Sequence, residues 1–177
     1  MSDPNHAKPD IEGAIRLLSE SDDSQLRQFV AYLLGQAGDP RSIEPLIDAL
    51  QDDHVGVRGA AANALGTIGS AEAVPYLRPL LEEANPQLVV WAAFALTRLG
   101  HDHFEVLVEA LQSDDVDVRR SSILALKQLG DKRAIGPLLT LQGDHSRRFE
   151  ADLTVGEAAN QALISLGYNI GKLPPRS

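Results

Sequence analysis

Apolar residues recur along the chain with the 3.6-residue period of a helix, and no segment shows the sustained alternation of a strand. Ile43, Leu46, Ile47 and Leu50 stand at i, i+3, i+4 and i+7, as do Phe104, Leu107, Val108 and Leu111, and this spacing lays each set on one helical face. A turn follows, acidic at Asp52-Asp53 and Asp114-Asp115, whose carboxylates are expected to cap the next helix and oppose its positive end. The second helix then carries a stripe of small and aliphatic residues: Val57, Ala61, Ala64, Leu65 and Ile68, matched by Leu88, Ala92, Ala95, Leu96 and Leu99. Small residues there permit close approach of neighbouring backbones. Each second helix runs into a glycine, at Gly38, Gly69, Gly100, Gly130 and Gly167, with spacings of 31, 31, 30 and 37. Glycine readily takes the left-handed conformation that ends a helix.

One helix pair of this length cannot bury its own apolar face, whereas stacked neighbours can. The pattern therefore predicts an all-α solenoid over residues 10–167, with repeats at about 10–38, 39–69, 70–100, 101–130 and 131–167. Residues 1–9 and 168–177 read as tails.

Composition agrees with close-packed helices in a single domain: hydrophobic residues make up 44% of the 177, yet aromatics only 5%. A net charge of −9 and a pI near 4.9 argue against nucleic acid or anionic membrane as partners, since both call for a basic field. The absence of cysteine removes disulfides, thiolate nucleophiles and Cys-ligated metals. The longest apolar run, Leu88 to Leu96, is far below the roughly 20 residues of a membrane span. The start of the chain is polar with no apolar leader, so a cytoplasmic location is expected.

The steps Asp-Pro-Arg-Ser-Ile-Glu-Pro-Leu at 39–46 and Asp-Lys-Arg-Ala-Ile-Gly-Pro-Leu at 131–138, the Val-Arg pairs at 57–58 and 118–119, and the ending Ala-Leu-Gly-Thr-Ile-Gly resemble HEAT repeats. The resemblance is nearest to the subtype named after phycobilisome lyases. It implies a right-handed α-solenoid of about five HEAT-like helix-pair repeats whose second helices line the concave face. It also implies that the second-helix arginine hydrogen-bonds to acidic turns along the stack. Arg27, Arg58 and Arg119 fit this pattern, while Val89 and Gly156 depart from it, which predicts breaks at repeats three and five.

On the second helices, one column facing away from the core reads Phe29, Ala60, Trp91, Ser121 and Ala158. The column one turn along reads Tyr32, Asn63, Phe94, Leu124 and Gln161. Residues at i and i+3 share a face, so Phe29 with Tyr32 and Trp91 with Phe94 form two aromatic pairs, as a binding hot spot would. First helices are rich in glutamate, whereas second helices carry Arg27, Arg58, Arg98, Arg119, Arg120 and Lys127. The inner face is thus expected to be mildly basic and aromatic, fitting a protein partner, with an acidic one suggested by charge. Phe29, Tyr32, Asn63, Trp91, Phe94, Arg98, Arg120, Leu124 and Gln128 form the candidate contact set. Arg147, Arg148 and Phe149, in the long linker of the last repeat, are candidate loop contacts.

Catalytic chemistry finds little support. His101-Asp102-His103 offers metal-ligand types but sits in an inter-repeat loop without a second motif. Some HEAT-like proteins resemble iron enzymes that use His-Glu ligand pairs, and no His-Glu dipeptide occurs here. No phosphate-binding glycine loop or nucleophile elbow appears. The expected function is a non-catalytic protein-binding scaffold with no metal, cofactor or catalytic residue. The alternative implied by the resemblance is a bilin lyase subunit or phycobilisome-handling factor, the one case in which a tetrapyrrole would be bound.

Overall fold

A computed structural model describes residues 10–149 and 152–170. The described residues form five helix pairs: α1 (Ile11–Glu20) with α2 (Ser24–Ala37), α3 (Ile43–Asp48) with α4 (Val55–Ile68), α5 (Val74–Leu77) with α6 (Pro86–Arg98), α7 (Phe104–Ala110) with α8 (Val116–Leu129), and α9 (Ile135–Leu139) with α10 (Val155–Ser165). They stack as an all-α solenoid, and no described residue is in a strand. No helix among the described residues is long and apolar enough to cross a membrane.

Several first helices are short because prolines interrupt them. Pro79 lacks the N–H that would extend α5, and a 3₁₀ turn over Arg78–Glu82 takes over. The second helices run longer and all stop as predicted: Gly38, Gly69, Gly100, Gly130 and Gly167 have φ between 65° and 88°. The turn chemistry differs in one place. Asp115 caps α8 as expected, but α4 is capped by the His54 ring nitrogen, not by Asp52 or Asp53.

Asp52 is turned to a different use. Its carboxylate takes a bidentate pair from Arg27 of the preceding repeat, Nε and Nη2 both at 2.8 Å. Arg27 also donates to its own turn at the Ser21 carbonyl. Arg119 repeats the arrangement, bonding the Ser113 carbonyl behind it and pairing forward with Asp144 at 3.2 Å. Arg58 makes only the backward half, to the Asp52 carbonyl; its Nε has no hydrogen-bond partner among the described residues. The turn ahead of it is Glu83-Ala84-Asn85, which leaves the ladder broken one repeat earlier than Val89 alone would break it. Gly156 marks the other departure. Its N–H bonds the Asp144 carbonyl at 2.9 Å, and a Cβ would stand 2.7 Å from the Gln142 carbonyl oxygen, so no side chain fits there.

A second clip runs along the opposite edge. In the Asp-x-Arg steps, Asp39 accepts from the Arg41 backbone and guanidinium, and Arg41 reaches back to Glu12 at 3.3 Å. Arg133 does the same with Asp131 and, at 3.1 Å, with Asp102. Repeat three has Glu72 at this position and repeat four has His103, so these ion pairs clamp the two ends of the stack and spare its middle.

The Arg27 guanidinium, helped by the His54 N–H, lowers the Asp52 pKa from 3.8 to about 2. A folded-state pKa below the unfolded one stabilises at higher pH: the contribution is complete above about pH 4 and disappears as pH falls towards 2. Asp52→Asn is therefore expected to flatten the dependence of melting temperature on pH between 4 and 2. An acid limb with the wild-type slope would count against this.

The core divides along the stack. One cluster runs from Ile11 to Leu96 through the first three repeats, the other from Val90 to Leu166 through the last three, and Leu81 and Trp91 touch both. In the first block the backbones nearly meet. A Cβ on Gly35 would lie 2.7 Å from Ala64 Cα, and one on Gly66 would lie 2.6 Å from Ala95 Cα. Thr97 and Lys127 occupy the later counterparts of those glycines, and such contact is not possible there.

Candidate functional site

A groove of about 480 Å³ crosses the second helices. Its walls are Phe29 and Tyr32 from α2, Trp91 from α6 and Leu124 from α8; its floor is Gly56, Gly59 and Ala60 of α4. The floor is low because two of these residues lack side chains. A Cβ on Gly59 would stand 3.0 Å from Trp91 Cδ1, and the missing group lets the indole lie across α4. Gln25, Gln28, Asn63 and Gln87 add amide groups, and no charged side chain among the described residues lines the cavity. Gln87 also donates to Ser121 Oγ at 3.0 Å, tying α6 to α8 at the edge of the groove.

Phe29 and Tyr32 are 56% and 46% exposed, and Leu124 is 43% exposed. These three, with Trp91 and Asn63, are the candidate residues the fold brings together. Asn63 is nearly buried, its Oδ1 accepting from Thr67. Phe94 departs from expectation. It is fully buried, packed edge-on against Trp91 with ring centroids 5.9 Å apart and directed back towards Gly66. Three residues turn a helix by about 300°, so Phe94 sits some 60° round from Trp91, enough to carry it from the rim into the core when a preceding helix is present.

The expected basic character of this face is confined to its α8 end. Arg27, Arg58 and Arg119 are held by turns. Arg98 bonds the Gly66 and Thr67 carbonyls at the end of α4, outside the groove. Arg120 donates to the Leu153 carbonyl, and Gln128 lies half-buried in the last turn of α8. The groove itself is lined by uncharged residues, and Arg120 and Lys127 of α8 line the smaller cavity that adjoins it across Gln87 and Leu124.

The described residues of the repeat-five linker are bonded to α8. Arg119 holds Asp144 and Ser146, Arg120 holds Leu153, and Arg148 pairs with Asp117 at 3.5 Å while covering the Phe149 ring. Arg147 lies close enough to Glu157 to help keep that carboxyl below its usual range, after the larger contribution from the Thr154 N–H and hydroxyl. Phe149 is 60% exposed. Asp102, from the His-Asp-His step, is engaged by Arg133 and the Phe104 N–H, and this also lowers its pKa.

Sequence reasoning missed Gly56, Gly59, Gln25, Gln28 and Gln87. Two glycines inside a helix cost about 0.5–1 kcal/mol each relative to alanine, and that anomaly in Val-Gly-Val-Arg-Gly was the available signal.

Helix pairs in series, glycine-stopped and ladder-bonded, with an apolar groove across the second helices, define a helical-repeat protein. The HEAT-repeat profile matches residues 11–97 and 79–155, and the chain belongs to the HEAT-repeat family. It is 28% identical to the phycocyanin operon protein Z of Pseudanabaena tenuis, over 89% of this chain and 80% of that one. It is 27% identical to the bilin biosynthesis protein PecE of Mastigocladus laminosus over 77% of this chain, spanning about half (51%) of PecE's length. Human deoxyhypusine hydroxylase shares the fold, with a TM-score of 0.53 at 20% identity over 88% of this chain and 73% of that one.

Proposed function

We propose that the protein is a non-catalytic scaffold that holds an uncharged, apolar segment of a protein partner in the groove across its second helices. The observation that carries this is the lining: three aromatic side chains with Val55, Leu88 and Leu124 over a glycine floor, ringed by amides and with no charged side chain among the described residues. Aromatic walls receive an apolar side chain, and amides bond the peptide groups on either side of it. Phe29→Ala and Trp91→Ala are each expected to weaken capture of the partner roughly tenfold or more. Because Phe29 is exposed, its variant should keep wild-type stability within about 0.5 kcal/mol. Undiminished capture by both variants would sink the proposal.

A second reading, the handling of a bilin or a bilin-carrying protein, is favoured by the names of two relatives. Aromatic walls suit a flat conjugated ligand. A tetrapyrrole, however, carries carboxylates, and no lysine or arginine lines this cavity. Titration of the protein with a free bilin separates the two: a saturable change in visible absorption that is lost in Trp91→Ala would replace the first reading with the second.

A further inference from the structure

We infer that the outer flank of α2 is a second docking surface, shaped for a partner helix that carries small residues seven positions apart. Counted back from the glycine that ends each helix, Phe29, Tyr32 and Leu33 of α2 correspond to Trp91, Phe94 and Ala95 of α6. In α6 these three pack backwards onto α4. Trp91 meets Gly59, where a Cβ would be 3.0 Å away; Phe94 and Ala95 meet Gly66, at 3.4 Å and 2.6 Å. Phe94 and Ala95 are completely buried by that contact. In α2 no earlier helix among the described residues stands in the same place, and Phe29, Tyr32 and Leu33 are 56%, 46% and 44% exposed.

Leu33 is the decisive member. Its counterparts are Ala64, Ala95, Ala125 and Ala162, each at most 2% exposed, so Leu33 is both the exception in type and the exception in exposure. Contiguous exposed apolar side chains mark interaction surfaces, and this flank presents two aromatic rings and a leucine. The geometry inside the protein also defines the occupant. Gly59 and Gly66, seven residues apart, are what the equivalent flank of α6 receives, and a helix with that spacing would extend the stack by one more layer. The nearest cation on α2, Arg27, is already committed to Asp52 and Asp53, which fits a neutral partner face. The two surfaces share Phe29 and Tyr32, and Leu33, which does not line the groove, is the residue that tells them apart.

The probe is a peptide of residues 53–70 of this chain, which contains both glycines, held helical by a hydrocarbon link between positions 57 and 61 on the side away from them. Circular dichroism checks its helicity, and calorimetry follows its titration into the full chain. The expected result is saturable binding that falls at least tenfold with Leu33→Lys in the protein, and equally with Gly66→Leu in the peptide. Lysine suits the last turns of a helix, and the variant's own melting curve shows that it folds. Absence of saturable binding up to millimolar peptide overturns the inference, as does binding indifferent to Leu33→Lys. Loss with Trp91→Ala alone would assign the peptide to the groove. A Leu33-dependent dimer of the chain by sedimentation would make the occupant a second copy and overturn the partner stated here.

Discussion

Phe94→Ala is expected to lower the free energy of unfolding by about 3–5 kcal/mol, and Phe29→Ala by less than about 0.5 kcal/mol. The two residues belong to the two aromatic pairs that the sequence aligns, but their surroundings are opposite. Phe94 is fully buried, meets Trp91 edge to face and contacts the space above Gly66. Its removal would leave a cavity between α4 and α6, next to glycines and alanines too small to fill it. At about 2–4 °C per kcal/mol for a chain of this size, the melting temperature should fall by roughly 10 °C. Denaturant titration followed by circular dichroism measures both variants. A loss below about 1 kcal/mol for Phe94→Ala would mean that the ring is not a packing element and would return it to the groove.

The second large effect is expected at Gly66. In an unconstrained helix, alanine in place of glycine stabilises by about 0.5–1 kcal/mol. At position 66 the new Cβ would stand 2.6 Å from Ala95 Cα. That neighbour is backbone and has no rotamer in which to move aside. α4 and α6 must separate, and overpacking of this kind costs about 1–3 kcal/mol. Steric cost therefore exceeds the propensity gain, and Gly66→Ala is expected to destabilise by about 1–2 kcal/mol. Gly136→Ala is the control: it lies in α9 with nothing within 4 Å of the added Cβ, so its effect should be neutral or slightly favourable. If Gly66→Ala matched that control, the close approach of α4 and α6 would be disproved.

The fold could be read from the sequence because its determinants are local and repeated: the i, i+3, i+4, i+7 spacing and the glycine stops each act within a single repeat. The groove was legible only in part. Phe29, Tyr32, Trp91 and Leu124 fall where the columns placed them, but periodicity assigns a side of the helix and not what stands there. Tyr32 and Phe94 share a column; among the described residues no earlier second helix packs on α2, so one is exposed, and the other is covered by α4. The arginines misled for a related reason. A count of charges on the second helices does not reveal that Arg27 and Arg119 are spent on neighbouring turns and Arg98 on the end of α4, which leaves the positive charge of this face at Arg120 and Lys127, beside the groove. The Asp-x-Arg steps were visible as a resemblance, but their reach back to Glu12 and Asp102 depends on how successive repeats are set, which no single repeat encodes.

Trp91 touches both core clusters and forms a wall of the groove, and it is the chain's only tryptophan. The molecule thus carries a built-in optical reporter at the seam between its two halves. Its emission registers loss of packing on either side, so a two-stage denaturation, with the ion-paired ends parting company at repeat three, would be recorded as two steps in one spectrum. The same indole would respond when the groove fills, without any added dye.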